Sequence, residues 1–268
     1  MILVTQRFAS QKIVLTGASS GLGQAIANQL AEEGADLILI ARRKTVLEEM
    51  VNRYTHEYHS NSTFYSCDLA DETGVSQLIA YLTQLPTVDY MINCAGYGRF
   101  DFYSQLQTTD TKNLFMVNTL SPIAISKAMA SKMSQQGFGH IVNICSQAAK
   151  IATPKTTTYS ASKAALYQYS NALRLELEQS ASNVLVTTIN PGPIKTPFFE
   201  HADREGNYLT NLGNFVLEPD DVAKKTVNAL ISYKREVNQP RLMAFASKLY
   251  NLFPTFGDWL IVHFFDKK

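Results

Sequence analysis

Charge is what this chain has little of. Asp, Glu, Lys and Arg make up 18% of its 268 residues, against roughly 25% in an average globular protein. The 24 basic and 23 acidic side chains leave a net charge of +1, so no global field draws the chain to nucleic acid or to an anionic membrane. Cysteine is scarce too: Cys67, Cys94 and Cys145 lie 27 and 51 residues apart. No Cys-x-x-Cys pair or histidine cluster at metal spacing accompanies them, which argues against structural zinc. An odd, low count fits a reducing compartment, and the expected location is cytoplasmic. No apolar run approaches the ~18 residues of a membrane span. The nearest candidate, 249–265, is interrupted by Asn251, Pro254, Gly257, Asp258 and His263. Residues 1–4 are apolar but too few to form a signal-peptide core.

What is present is an ordinary apolar share, 46%, which excludes a disordered chain, in a length that supports a sizeable core without disulfide or metal staples. Short aliphatic runs alternate with longer helical patterns. Residues 12–16, 36–41, 63–67, 88–93, 140–144 and 184–190 read as strands nearly continuous in apolar residues, as expected when both faces of a sheet are covered. Residues 22–33, 44–58, 72–85, 111–136 and 159–179 read as helices between them. Strands separated by helices imply right-handed crossovers and a parallel sheet. The expected fold is α/β, a Rossmann-type doubly wound parallel sheet in three layers (α/β/α). One domain is expected over 1–240, with a C-terminal helical appendix over 241–268 packed on it.

The first strand ends in Thr16-Gly17-Ala18-Ser19-Ser20-Gly21-Leu22-Gly23 and a helix begins there. Gly17 permits the tight turn, Gly21 lets backbone approach a pyrophosphate, and Gly23 allows close helix–strand packing. The helix N-terminus adds unpaired N–H groups and partial positive charge for the anion. The spacing Gly-x-x-x-Gly-x-Gly is wider than the dinucleotide fingerprint Gly-x-Gly-x-x-Gly. It resembles the glycine motif of the short-chain dehydrogenase/reductase family. Further residues carry the resemblance in order: Asn93-Cys94-Ala95-Gly96 ends the fourth strand, where the family usually has Asn-Asn-Ala-Gly. Asn118 lies in the next helix, Ser146 follows the fifth strand, Tyr159 and Lys163 form Tyr-x-x-x-Lys, and Pro191-Gly192 ends the sixth strand. The likeness spans about residues 12–197, and Cys94 for Asn is its one departure.

The resemblance implies an oxidoreductase that moves a hydride between a nicotinamide cofactor and a carbonyl or alcohol. An NAD-binding fold places an acid near the end of the second strand; here that strand ends in Arg42-Arg43. Two guanidiniums suit a ribose 2′-phosphate, so NADP(H) is expected over NAD(H). By resemblance Asp68 and Leu69 meet the adenine, and Ser19, Ser20 and Leu22 join the glycines at the phosphates. Asn93, Ala95, Gly96, Pro191, Gly192, Ile194 and Thr196 complete the cofactor contacts, Ile194 and Thr196 at the nicotinamide carboxamide.

Asn118, Ser146, Tyr159 and Lys163 are the implied catalytic positions. Reduction builds negative charge on the carbonyl oxygen, which needs a proton donor in reach. A free tyrosine has pKa about 10, and a nearby cation lowers it. Tyr159 and Lys163 at i, i+4 are neighbours on a helix face, so Lys163 can tune Tyr159 and, by resemblance, hold the nicotinamide ribose. Ser146 would orient the substrate oxygen, and Asn118 would hold a relay water between Lys163 and solvent.

The substrate loop is expected at about 193–217, with Phe198, Phe199, Tyr208 and Phe215; Phe100, Phe102 and Tyr103 border the same region. An apolar or bulky ketone, aldehyde or 3-oxoacyl-like compound follows. His201, Asp203, Arg204 and Glu205 read as a solvated loop tip. Segment 249–265 holds six aromatics; Pro254 and Gly257 are expected to divide the appendix into two short helices. Core packing or a subunit contact ranks ahead of peripheral membrane contact there, because basic anchors are few. The resemblance also implies a homodimer or homotetramer joined through helices 111–136 and 159–179. The competing reading is a non-catalytic NADP(H)-binding regulator or redox sensor. A buried hydrophobe is the ordinary role for each cysteine.

Overall fold

The six aliphatic runs pair side by side in the computed structural model, which describes residues 6–203 and 213–265. Strands β1 (Lys12–Thr16), β2 (Asp36–Ala41), β3 (Thr63–Ser66), β4 (Tyr90–Asn93), β5 (Gly139–Ile144) and β6 (Val184–Pro191) are joined by a seventh, β7 (Glu236–Gln239). All pair parallel, in the order β3-β2-β1-β4-β5-β6-β7. The chain first builds outward from β1 to β3, then restarts at β4 on the other side. At that reversal Thr16 pairs with Ile40 of β2 and Asn93 of β4. Loops leave the sheet there in opposite directions and open a crevice.

Alternation along β1 sorts the three layers. Ile13 and Leu15 pack with Ile26 and Leu30 of α1 (Gly21–Glu32), Leu47 and Tyr54 of α2 (Lys44–Tyr58), and Val222 and Val227 of a helix at Pro219–Ile231. Val14, between them, faces the other way. It packs with Leu78 and Leu82 of α3 (Glu72–Gln84), and the same core holds Ile125 and Met129 of Ser121–Gln136 and Leu173 and Leu177 of Thr157–Gln179. Successive strand residues point to opposite faces, so an unbroken aliphatic strand is what a doubly covered sheet requires.

Three features differ from expectation. The helix anticipated at 111–136 is α4 (Thr108–Phe115), a π-helical turn at Met116–Leu120, and α5 (Ser121–Gln136); a π turn marks a local bulge, and it carries Asn118. After α6 (Thr157–Gln179), α7 (Phe198–Ala202) and α8 (Pro219–Ile231), the edge strand β7 had no aliphatic signature. The appendix is α9 (Arg241–Leu252), α10 (Pro254–Leu260) and a π turn at Ile261–Phe265. Only Pro254 divides it, because Gly257 lies inside α10, where a Cβ would collide with the Tyr250 ring. No described helix is long and apolar enough to cross a membrane.

Candidate active site

A cleft of about 1350 Å3 lies over the C-terminal ends of the strands. Its first wall is the turn after β1. Gly17 and Gly21 have φ of +71° and +54°, the region where side chains are strained. A Cβ on Gly17 would fall 2.7 Å from Ala95 Cα. Thr16 Oγ1 accepts from the Cys94 and Ala95 N–H groups, each at 3.1 Å, and so clamps this turn to the end of β4. The N-cap of α1, Ser20, makes no side-chain capping bond, and the first turn has no acidic residue. By contrast, Asp71 caps α3 by accepting from the Thr73 and Gly74 N–H groups at 3.1 Å. Ser19, Ser20, Gly21, Leu22 and Gly23 all line the cleft, which thus meets a helix N-terminus with no side-chain cap, the arrangement that takes an anion.

Arg43 stands over this turn. Its Nη2 donates to Ser19 O at 2.7 Å and Ser19 Oγ at 3.1 Å, and Nε to the same Oγ at 3.3 Å. Arg42 is exposed and also lines the cleft, as do Asp68 and Leu69 after β3. Asp68 Oδ1 accepts from the Ala70 N–H at 3.0 Å, and Leu69 O accepts from Ser121 Oγ at 2.7 Å. Ala95, Gly96, Pro191, Gly192, Ile194 and Thr196 line the far side. Thr196 lies against the glycine turn: its Cβ is 3.2 Å from the place a Gly21 Cβ would take.

Asn93 does not reach the cleft. Its Nδ2 donates to Asn143 Oδ1 at 2.8 Å and Ser126 Oγ at 3.0 Å, and Asn143 Nδ2 donates to Ser170 Oγ at 2.8 Å. This buried chain ties β4 and β5 to α5 and α6 and turns the Asn93 side chain away from the cleft.

Ser146, Tyr159 and Lys163 all line the cleft. Ser146 follows β5; its Oγ accepts from the Ala148 N–H at 3.1 Å and lies 3.5 Å from Pro191 O. Tyr159 and Lys163 lie one turn apart on α6. Lys163 Nζ donates to Ile144 O at 2.9 Å, and burial holds its pKa below the usual lysine range. Asn118 lies behind the cleft, fully buried. Its Oδ1 accepts from the Tyr97 N–H at 3.0 Å, and its Nδ2 donates to Tyr97 O at 2.9 Å and Ser162 Oγ at 3.2 Å. The amide therefore pins the loop after β4 to α6. At Gly96, between the two, a Cβ would lie 3.1 Å from both Asn118 Oδ1 and Lys163 Nζ.

The three cysteines follow β3, β4 and β5 and line the same cleft. All are free thiols. Burial pushes Cys67 up to about 11 and Cys94 and Cys145 up to about 12, so at neutral pH they are unreactive thiols.

Beyond Tyr159 the cleft turns apolar. Phe100, Tyr159, Phe198 and Phe199 form an edge-to-face cluster with ring centroids 5.1–6.2 Å apart. Phe102, Tyr103 and Phe215 are exposed and stand outside the lining. Tyr208, Arg204 and Glu205 lie outside the described residues. His201 belongs to the cleft wall, not to a solvated tip alone. The sequence reading missed two contributors. One is the turn after Ser146, where Gln147 Nε2 donates to Asn190 O at 2.7 Å and Asn238 Oδ1 at 3.0 Å, and Lys150 pairs with Glu236 of β7. The other is the appendix, whose Met243, Ala246, Leu249, Tyr250, Phe253, Phe256 and Leu260 all line the cleft.

Comparison with known proteins agrees with this geometry. The family model described as short chain dehydrogenase matches residues 11–206. YxnA of Bacillus subtilis, an uncharacterized oxidoreductase, is 28% identical over 97% of this chain and 73% of its own length. Human dehydrogenase/reductase SDR family member 11 is 30% identical over 84% of this chain and 90% of its own. A short-chain dehydrogenase from Sphingobium yanoikuyae, solved in complex with NADPH, superposes with a TM-score of 0.80 at 25% identity, covering 91% of this chain and 95% of that one. With the matched region spanning most of the sheet and the whole Ser146–Lys163 segment, the chain belongs to the short-chain dehydrogenase family of oxidoreductases.

Proposed function

We propose that the protein is a carbonyl reductase or alcohol dehydrogenase that uses NADP(H) in preference to NAD(H) and acts on an apolar or bulky ketone, aldehyde or 3-oxoacyl-like substrate. The observation that carries this reading is the meeting of Ser146, Tyr159 and Lys163 in a cleft that also takes in the side-chain-uncapped N-terminus of α1. The residues present fit a dinucleotide. A Cβ at Gly17 or Gly23 would fill the turn, α1 and Arg43 offer donors for phosphate, and a relative 25% identical was solved with NADPH. Gly17, Ser19, Ser20, Gly21, Leu22 and Gly23 would hold the pyrophosphate, Arg42 and Arg43 the 2′-phosphate, Asp68 and Leu69 the adenine. Ala95, Gly96, Pro191, Gly192, Ile194, Thr196 and Lys163 would hold the nicotinamide half.

When bound, the nicotinamide supplies or accepts the hydride. The chain's own residues do the rest. Ser146 Oγ and the Tyr159 hydroxyl hold the carbonyl oxygen, where negative charge grows, and Tyr159 donates the proton. Lys163 has three donors and spends one on Ile144 O; the others serve Tyr159 and the ribose. Its buried ammonium gives up a proton more readily than a solvated one, which suits return of the proton to Tyr159. Asn118, its amide engaged with Tyr97 and Ser162, acts as a positioning residue for the Gly96 loop and α6.

The raised thiol pKa values disfavour a thiol-based redox sensor. The free thiols support a cytoplasmic location, and exposed Leu120 and Leu175, beside α5 and on α6, support homo-oligomer contacts. Residues 1–240 act as one catalytic unit. Replacing Tyr159→Phe tests the mechanism. NADPH oxidation against a panel of ketones and aldehydes should fall by about two to four orders of magnitude, the span of general acid catalysis, with NADPH binding retained. Turnover at the wild-type rate would remove Tyr159 from the chemistry.

A further inference from the structure

The cleft of about 1350 Å3 serves the dinucleotide and the substrate together, and its end beyond Tyr159 and the aromatic cluster is lined by the C-terminal helices. Met243, Ala246 and Tyr250 are spaced i, i+3, i+7 and share one face of α9, and Phe253 follows at its C-terminal end. All four line the cleft, and the helical part from Met243 to Tyr250 makes a strip of about 10 Å at the helical rise of 1.5 Å per residue. The strip starts at the floor after β6, where the place of a Gly192 Cβ is 2.9 Å from Met243 Sδ. It continues onto α10 through Phe256 and Leu260. No Asp, Glu, Lys or Arg of α9 or α10 lines the cleft, and the one hydroxyl, of Tyr250, is donated to Asp258 Oδ1 at 2.8 Å. Phe253 and Phe256 line the cleft yet stay 62% and 60% exposed, so apolar surface there is still open to an occupant.

We propose that this strip binds a linear apolar tail of the substrate, making the preferred substrate a carbonyl compound on an alkyl or acyl chain. The carbonyl lies at Ser146 and Tyr159 and the chain runs along α9 toward Phe253 and Phe256. The proposal rests on the carbonyl-reductase reading. An apolar strip without free donors fits methylenes, and it offers nothing to the hydroxyls of a sugar or a hydroxy acid.

The test is a homologous series from 2-butanone to 2-tridecanone on the full chain. With NADPH, kcat/KM should rise by up to about fourfold per methylene, the transfer free energy of a buried CH2, until the tail fills the strip. Phe253→Ser should flatten that slope, whereas Phe245→Ser should leave both the slope and the rate on 2-butanone unchanged. Phe245→Ser is the control: Phe245 is equally exposed on α9 but does not line the cleft. A second readout needs no turnover. Trp259 is the chain's single tryptophan and lies on α10, so its fluorescence reports Kd for each ketone on the NADP+-loaded Tyr159→Phe protein. Absent reduction with Kd still falling along the series sinks the reductase reading and keeps the tail site. A series flat in both readouts overturns the tail site. So does equal loss of slope in Phe245→Ser, which would mean that a second copy or a lipid surface covers these helices instead.

Discussion

Cofactor choice should turn on Arg43, and the structure sets the size of the effect. Its guanidinium already stands over the glycine turn, held by Ser19 O at 2.7 Å and Ser19 Oγ at 3.1 Å. A 2′-phosphate arriving there meets a cation whose orienting cost is largely met in the free protein. A hydrogen bond to a charged group is worth about 1.5–3 kcal/mol, and exposure with salt screening reduces that to about 1–2 kcal/mol here. Arg43→Ala should therefore raise KM for NADPH about 5- to 30-fold, at 1.4 kcal/mol per decade. NADH presents a neutral hydroxyl at that position and should lose almost nothing. The assay is initial rates with each cofactor at saturating ketone, with melting temperature as the control for folding. Arg42→Ala should act in the same direction, and the NADPH advantage should shrink as salt rises. Equal losses with both cofactors, or a wild type that prefers NADH, would refute the argument from charge.

Three further outcomes follow from the same geometry. Gly96→Ala puts a methyl 3.1 Å from Asn118 Oδ1 and Lys163 Nζ; displacing Lys163 by a few tenths of an ångström should cut kcat about tenfold or more with little change in melting temperature, and unchanged kcat would dissociate that contact from turnover. With thiol pKa values of about 11 to 12, the thiolate fraction at pH 7 is about one in ten thousand or less. Iodoacetamide should leave the native protein unlabelled and active, and rapid labelling of Cys94 or Cys145 would contradict their burial. His140 is buried, its Nε2 is 2.8 Å from Thr187 Oγ1, and its Nδ1 finds no partner among the described residues; burial lowers its pKa to about 4. Between pH 6.5 and 4 the unfolded chain then binds the extra proton, so stability is full above pH 6.5 and falls as pH drops toward 4, by about 3 kcal/mol. Urea midpoints for wild type and His140→Leu check this: the variant should lack that part of the acid loss.

How much of this was legible in the sequence depended on whether the signal was local. Six strands were readable because burial on both faces demands aliphatic residues at consecutive positions, as in Ile13, Val14 and Leu15. β7 escaped because it is an edge strand with polar work: Glu236 pairs with Lys150, and Asn238 Oδ1 accepts from Lys150 Nζ at 2.8 Å and Gln147 Nε2 at 3.0 Å. The glycine turn and the pair Tyr159 and Lys163 were readable because their geometry follows from spacing along one turn or one helix. The motif places Asn93 beside cleft-lining neighbours, whereas the direction of its side chain follows from strand alternation. Met91 packs into the core against α5, and two residues on, Asn93 must point the same way. It meets Ser126 of α5, and the cleft passes to Cys94 and Ala95.

The appendix posed a different difficulty, and it bears on the shortage of charge. A surface helix is normally placed by the contrast between one apolar and one polar face. In α9 that contrast is strong, but the apolar face is wide enough to meet two surroundings. Met243, Ala246 and Tyr250 line the cleft, while Leu242, Phe245 and Leu252 are 60–70% exposed on the other side. The sequence thus displays an apolar face without saying what covers each part of it. That comes from tertiary contacts: Met243 packs at Gly192 beside the catalytic floor, and Gly257 admits the Tyr250 ring so that α10 folds back on α9. Both glycines lie far in sequence from the side chains they accommodate or in another helix, and both contacts need the absence of a Cβ. Part of the missing charge is therefore concentrated where one helix must present apolar surface inward to the cleft and outward at once. A charge introduced at Ala246 would face the cleft and one at Phe245 would not, which is why those two faces, adjacent in sequence, carry separate consequences for substrate.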